Sequence, residues 1–146
     1  MSKTQTDQIV MLMHDMTPDG VALEIPPKVM LDMDGEFIDR EPGSSLSTRF
    51  PMKERYGNPM GHMQGGIIVS AIDNTYGPLA FLEAGYCVTT QLNTNYIRPV
   101  LAHDEYIDVK ATIIEKTKRQ LFMEARVSNS AGKTVALSTA SFAVVT

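Results

Sequence analysis

The feature that most constrains the fold is the segment 66–84, GIIVSAIDNTYGPLAFLEA, which consists almost entirely of apolar and small residues. Asp73 is the only formally charged side chain between Ile67 and Leu82. Gly85 follows directly and is a typical helix terminator, so the pattern predicts one long helix. A helix that is apolar on nearly every side has to be buried on nearly every side.

The residues around this helix predict strands. The segment 45–51 alternates polar and apolar residues before the helix, and four alternating segments follow it at 87–98, 105–116, 120–129 and 133–145. The faces expected to be apolar are formed by Val88, Leu92 and Tyr96, by Ile107, Val109, Ala111 and Ile113, and by Leu121, Met123, Ala125 and Val127. Consecutive strands with short connections predict an α+β fold, with a curled antiparallel sheet wrapped around the central helix.

The remaining N-terminal part is less regular. Residues 5–14 predict a short amphipathic helix, and residues from there to about Pro42 are expected to be irregular, with room for one short strand. A chain of 146 residues is the size of one domain. We therefore expect a single domain over 1–146, in which 1–40 form an N-terminal helix and irregular extension.

Composition excludes several functions. The net charge of -4 argues against a nucleic-acid partner. The single cysteine, Cys87, cannot form an internal disulfide, and the three histidines lie far apart, so neither a metal nor another cofactor is expected. We see no pattern of a signal peptide or of a membrane span. These observations favour a cytoplasmic protein with no membrane partner.

The lone acid of the apolar helix has two explanations. Asp73 can be a buried structural acid that holds a loop, or an acid whose basicity is tuned by partial burial in a cleft. Gly65 and Gly66 favour the second explanation, because they stand where the helix begins and its backbone N–H groups lack helical partners. Backbone donors and a carboxylate are the minimum required for acyl transfer or hydrolysis.

The spacing of these residues has a consequence for assembly. Gly65 and Asp73 are eight residues apart, which corresponds to about 12 Å along a helix, so they cannot both contact one carbonyl group. Two copies of the helix lying antiparallel across a two-fold axis would bring Gly65 of one beside Asp73 of the other. If both residues act on one substrate, the protein is at least a dimer.

The motifs resemble those of the hotdog-fold thioesterases, in particular the branch with phenylacetyl-CoA and 4-hydroxybenzoyl-CoA thioesterases. The matching positions are Asn58, QGG at 64–66, Asp73 and NYIRP at 95–99. Downstream, KTKRQ and SNSAGKTVALSTASFAV resemble the last hairpin and final strand of that family. The resemblance covers roughly residues 45 to 145. It implies an acyl-CoA substrate, and homodimers or homotetramers as the assembly.

The resemblance also implies catalytic roles. The Gly65 N–H would polarise the thioester carbonyl, and Asn58 would hold that carbonyl or the catalytic loop, unless it only caps the turn at Pro59. Asp73 of the opposite subunit would act as nucleophile or as general base toward water. Thr89 matches a hydroxyl that positions this water, although a strand threonine also has ordinary β-propensity.

The substrate-binding positions depart from the family in one respect. The usual histidine before the glycine pair is Gln64, which can still form hydrogen bonds, and His62 is an alternative two residues earlier. Gly66, the second glycine of the pair, is also expected to contact the substrate. A cluster of cations at a predicted hairpin turn either contacts the CoA phosphates or is simply solvated; it comprises Lys116, Lys118 and Arg119.

Two other functions compete with hydrolysis of a medium-chain or aromatic acyl-CoA. A hotdog dehydratase or hydratase of 3-hydroxyacyl thioesters would need a histidine and an acid, for which His62 and Asp73 are the only pair. The HFPG-like context of that histidine is absent. A non-catalytic domain that binds acyl thioesters would have no need of the acid.

Overall fold

The computed structural model describes residues 4–145, so the outermost residues of the expected domain lie outside this range. In chain order the elements are α1 (Gln5–Met16), α2 (Lys28–Asp32), β1 (Glu36–Glu41), β2 (Ser45–Pro51), a 3-10 turn (Glu54–Tyr56), α3 (Gly65–Ala84), β3 (Cys87–Tyr96), β4 (Tyr106–Lys116), β5 (Gln120–Asn129) and β6 (Thr134–Val144).

The six strands form one antiparallel sheet in the order β1-β2-β4-β5-β6-β3. The sheet curls around α3, which packs against β2, β3, β4, β5 and β6. This is the hotdog fold, and the predicted fold class is confirmed. β1 and β3 are the two edge strands.

The helix is anchored by the apolar stripe that the sequence predicts. Its buried residues include Ile68, Ala71, Ile72, Thr75 and Leu79. They face the apolar sides of the central strands, where every predicted inward residue of β5 is buried. α3 ends at Gly85, whose φ of 77° is a backbone conformation that glycine adopts without steric cost. Burial of this stripe fixes the position of α3 inside the sheet.

The N-terminal segment covers part of what the sheet leaves open. α1 begins at an N-cap made by Thr4 and buries Ile9 and Met13 in the core, beside β1 and α3. The Thr6 hydroxyl accepts a hydrogen bond of 2.9 Å from the Phe37 N–H, which joins α1 to β1. The segment from residue 15 to about Pro42, which was expected to be mostly irregular, contains α2 as well as β1. The region before α3 is therefore more ordered than its composition indicates.

The predicted apolar face of β3 is wrong at two of its three positions, since Val88 and Tyr96 are both exposed, Tyr96 to 53%. The pairing with β6 shifts between Thr89 and Gln91, where Thr90 forms a bulge. The extra residue reverses the alternation, so that Val88 is 52% exposed whereas Leu92 is partly buried against the core. The same bulge turns Thr89 toward α3.

Gly35, in the connection between α2 and β1, offers a test of the packing. A Cβ atom at this position would lie 2.6 Å from Cε1 of the fully buried Phe50 and 3.1 Å from Cγ of Met30. We expect Gly35→Ala to lower the free energy of unfolding by about 1–3 kcal/mol through overpacking. Urea denaturation measures this change.

A double-mutant cycle with Phe50→Leu identifies the cause. If the contact with the Phe50 ring causes the lower free energy of unfolding, the double variant loses less stability than the two single variants lose in total. Additive effects would show that Gly35 is needed for another reason.

Candidate active site

The N-terminus of α3 presents two unpaired donors. Within residues 4–145, no group accepts a hydrogen bond from the N–H of Gly65 or of Gly66. The preceding carbonyl, that of Gln64, accepts from the Ile67 N–H at 2.9 Å, so the helix is already formed at this point. Unpaired N–H groups at the positive end of a helix are suited to bind a negatively charged oxygen.

A cleft of about 420 Å³ lies beside these donors. Its lining residues are Asn58, His62, Met63, Gly65, Ile68, Tyr96, Ile97, Arg98 and Pro99. The cleft therefore brings together three of the predicted site residues, which are Asn58, His62 and Gly65. Gln64 and Gly66 adjoin it at the start of the helix, and both are exposed.

Asn58 holds the loop that precedes α3. Its side-chain oxygen accepts hydrogen bonds from the N–H groups of Met60 and His62, both at 3.0 Å. Its own N–H donates to the His62 carbonyl at 2.7 Å. The turn-holding role that the sequence left open is thus observed. A direct contact with a substrate would have to use the side-chain amide nitrogen of Asn58.

Tyr96 packs against the first residue of α3. Its hydroxyl donates to the Gly65 carbonyl at 2.9 Å. A Cβ atom on residue 65 would lie 3.0 Å from this hydroxyl and 3.1 Å from Cζ of the ring. Tyr96 was expected only on the apolar face of β3, and no site role was predicted for it or for Arg98, although both belong to the NYIRP element that supports the resemblance. That element was the only signal for them.

Asp73 lies outside this cleft, on the side of α3 next to the edge strand β3. Its carboxylate accepts a hydrogen bond of 3.3 Å from the Thr89 hydroxyl, so two further predicted residues are in contact. Of the two explanations for this acid, that of a buried structural acid does not fit a single chain, in which the residue is exposed. The sheet and α1 cover the other sides of α3 but leave this side open.

The surroundings nevertheless change the acidity of Asp73. Partial desolvation by neighbouring atoms raises the pKa of its carboxyl group above the ordinary value of 3.8, and the hydrogen bond from Thr89 opposes this shift. A raised pKa makes the carboxylate a stronger base than an ordinary aspartate.

The donors and the acid remain apart within one chain. α3 is continuous over 20 residues, so Gly65 and Asp73 are separated by about 12 Å along its axis. The two groups cannot meet on one carbonyl carbon in this chain.

The predicted cations form a third group. The Lys116 ammonium donates to the Glu83 carbonyl at 2.6 Å, near the C-terminal end of α3. Lys118 and Arg119 are exposed in the adjacent turn between β4 and β5. Glu83 lies roughly 15 Å beyond Asp73 along the helix.

Other reactive groups do not add to the site. Desolvation raises the pKa of the Cys87 thiol, which keeps it in the weakly nucleophilic protonated form. Among residues 4–145 no group of three or more His, Cys, Asp or Glu side chains could hold a metal ion. In the same range no helix has the length and apolarity required to cross a membrane.

A family model described as Thioesterase superfamily matches residues 60–136, which is just over half of the chain and includes α3. The chain belongs to this superfamily. No curated protein matches the sequence.

Several solved structures share the fold. A conserved protein from Pseudomonas aeruginosa is 28% identical, with a TM-score of 0.75 over 82% of this chain and 94% of that one. The PaaI protein of the phenylacetic acid degradation operon from E. coli is 16% identical, with a TM-score of 0.82 over 97% and 96%. A Streptococcus mutans protein bound to acetyl-CoA is 19% identical, with a TM-score of 0.72 over 76% and 88%.

The contact between Thr89 and Asp73 gives a direct prediction. Removal of the hydroxyl in Thr89→Val eliminates a hydrogen bond that favours the ionised carboxylate, so the pKa of Asp73 should rise further. A ¹³C NMR titration of the aspartate carboxyl signals measures this pKa.

Thr90→Val is the matched control, since the Thr90 hydroxyl bonds to the Ser141 carbonyl at 2.8 Å instead. An Asp73 pKa that is equal in wild type and Thr89→Val would contradict the assignment of this contact.

Proposed function

We propose that this protein is an acyl-CoA thioesterase whose active sites are shared between two subunits. The observation that carries the proposal is the separation along α3 between the unpaired N–H of Gly65 and the accessible carboxylate of Asp73. Each is half of what thioester hydrolysis requires, and both stand on one helix about 12 Å apart.

The edge strand β3 supports a dimer. It leaves a row of backbone groups unpaired, and apolar side chains are exposed along it and just beyond, with Val88 at 52%, Tyr96 at 53% and Ile97 at 51%. A second copy that pairs antiparallel with β3 would extend the sheet. The two α3 helices would then lie antiparallel across an axis near Val69, with Gly65 of the partner subunit beside Asp73.

In this arrangement the thioester carbonyl oxygen accepts a hydrogen bond from the N–H of Gly65 of the partner subunit. Asp73 then takes a proton from water while the water oxygen attacks the carbonyl carbon, or it attacks that carbon itself and forms an anhydride that water hydrolyses. The Thr89 hydroxyl orients the carboxylate and the water. Collapse of the tetrahedral intermediate breaks the C–S bond, and the thiolate leaves and is protonated.

The cations at the end of α3 are proposed to bind the CoA phosphates. Lys116 belongs to the same subunit as the attacking Asp73 and contacts the Glu83 carbonyl, roughly 15 Å farther along the helix. Lys118 and Arg119 lie in the adjacent turn between β4 and β5. The structure that contains acetyl-CoA supports this class of substrate. The E. coli protein of a phenylacetic acid degradation operon supports an aromatic acyl group, and a medium-length chain is the alternative. We place the reaction in the cytoplasm.

Thiol release from a panel of short, long and aromatic acyl-CoAs tests the reaction. We expect wild type to release thiol from at least one member, and Asp73→Asn to lose this activity while its melting temperature is maintained. Asp39→Asn on β1, an exposed acid at the opposite edge of the sheet, is the matched control and should remain active. Formation of an enoyl thioester instead of free acid and thiol would favour a dehydratase.

The role of the Gly65 N–H can be isolated with two variants. Gly65 is the first residue of α3, where proline is well tolerated, and Gln64 has the extended backbone (φ -58°, ψ 139°) that precedes proline. Gly65→Pro removes the donor, whereas Gly65→Ala keeps it and makes the same Cβ contact with Tyr96. We expect kcat of the proline variant to be about 10²–10³ lower than that of the alanine variant. Equal kcat values in the two variants would show that this N–H does not contribute to catalysis.

A mixing experiment tests whether sites are shared. Asp73→Asn and Gly65→Pro each inactivate every site of their own homodimers, but a mixed dimer keeps one complete site. Unfolding and refolding the two chains together should restore about a quarter of the wild-type activity, because half of the dimers are mixed and each has one of two sites intact. A mixture as inactive as its components would contradict shared sites.

A further inference from the structure

Tyr96 makes a contact with the backbone of the proposed active site that the mechanism above does not use. Its hydroxyl reaches across from the end of β3 to the Gly65 carbonyl, 31 residues earlier in the chain. The end of β3 is itself firmly held, since Tyr96 pairs with Ala136 of β6 and the next N–H, that of Ile97, donates to Val135 at 2.8 Å. Tyr96 therefore joins a fixed strand to the start of α3.

The start of α3 needs such a restraint. Gly65 and Gly66 are consecutive glycines, and glycine backbones have the largest conformational freedom. Their N–H groups have no partner within the described residues, so hydrogen bonding on that side does not fix them. The space that a side chain of residue 65 would occupy is filled by the Tyr96 ring. The aromatic ring thus restricts the backbone at two glycines, which have more conformational freedom than any other residue.

The hydroxyl acts on one particular peptide unit. The Gly65 carbonyl and the Gly66 N–H belong to the same planar peptide, so a hydrogen bond that fixes the carbonyl also fixes the direction of the N–H. A donor on the carbonyl oxygen polarises the peptide and strengthens its N–H as a donor. The Gly66 N–H is directly next to the Gly65 N–H at the end of the helix.

We propose that Tyr96 is a positioning residue that orients and polarises the Gly65–Gly66 peptide, and so makes the Gly66 N–H a second donor to the oxyanion. This inference rests on the proposed thioesterase function. Tyr96 does not react with the substrate; it acts through the backbone donors of its own subunit, the N–H groups of Gly65 and Gly66. Loss of the hydroxyl should weaken binding of the transition state more than binding of the substrate.

Tyr96→Phe tests this, because it removes the hydroxyl and keeps the ring against Gly65. We expect kcat to fall about fivefold to tenfold, the effect of one hydrogen bond, with KM unchanged. The amide signal of Gly66 in a ¹H–¹⁵N NMR spectrum should shift upfield in the proton dimension, since a less polarised N–H is more shielded. Tyr106→Phe is the control, as that ring packs under the Arg49 guanidinium at 3.7 Å, away from the cleft.

The two readouts separate the inference from the proposed function. An unchanged kcat in Tyr96→Phe overturns the inference, and so does a lower kcat with an unchanged Gly66 amide signal, which would indicate a merely structural role. If wild type hydrolyses no thioester, the proposed function fails. In that case a shift of the Gly66 signal supports the positioning contact, whereas an unchanged signal overturns it.

Discussion

Burial of the apolar surface of α3 is the constraint on which the rest of the structure depends. A helix with one charged side chain between Ile67 and Leu82 is stable in water only if other elements surround it, and the curled sheet does this along most of its length. The position of the helix then determines the chemistry. Its N-terminus lies at a cleft, where Tyr96 packs against the backbone donors, and Asp73 lies on the side of the helix next to the edge of the sheet.

That edge is where the proposed second subunit would bind. The uncovered side of α3 and the free edge of β3 adjoin each other, and the Thr89–Asp73 hydrogen bond crosses between them. One contact with a second copy would pair the strand, cover the helix and bring a set of backbone donors to the acid. Folding and catalysis would therefore depend on the same interface, which explains how an acid can persist in so apolar a helix.

The sequence predicted the fold well because periodicity reports burial directly, as in the stripe from Ile68 to Leu79 and the inward faces of β4 and β5. It failed where one residue alters the pattern. The bulge at Thr90 reverses the face of Val88, and no local signal marks it. The contact of Tyr96 with Gly65 could not be predicted for another reason, since it joins segments that are 31 residues apart and local patterns carry no information about it. The exposure of Asp73 depends on which sides other elements cover, and this too is not local.

The most direct test of the account is thioesterase activity measured over a dilution series, with the oligomeric state determined at the same concentrations by analytical ultracentrifugation. The proposal of shared sites predicts that specific activity falls in proportion to the fraction of dimer, because a monomer holds Gly65 and Asp73 about 12 Å apart along one helix. A monomer that keeps full specific activity would contradict it, since one chain would then contain a complete active site.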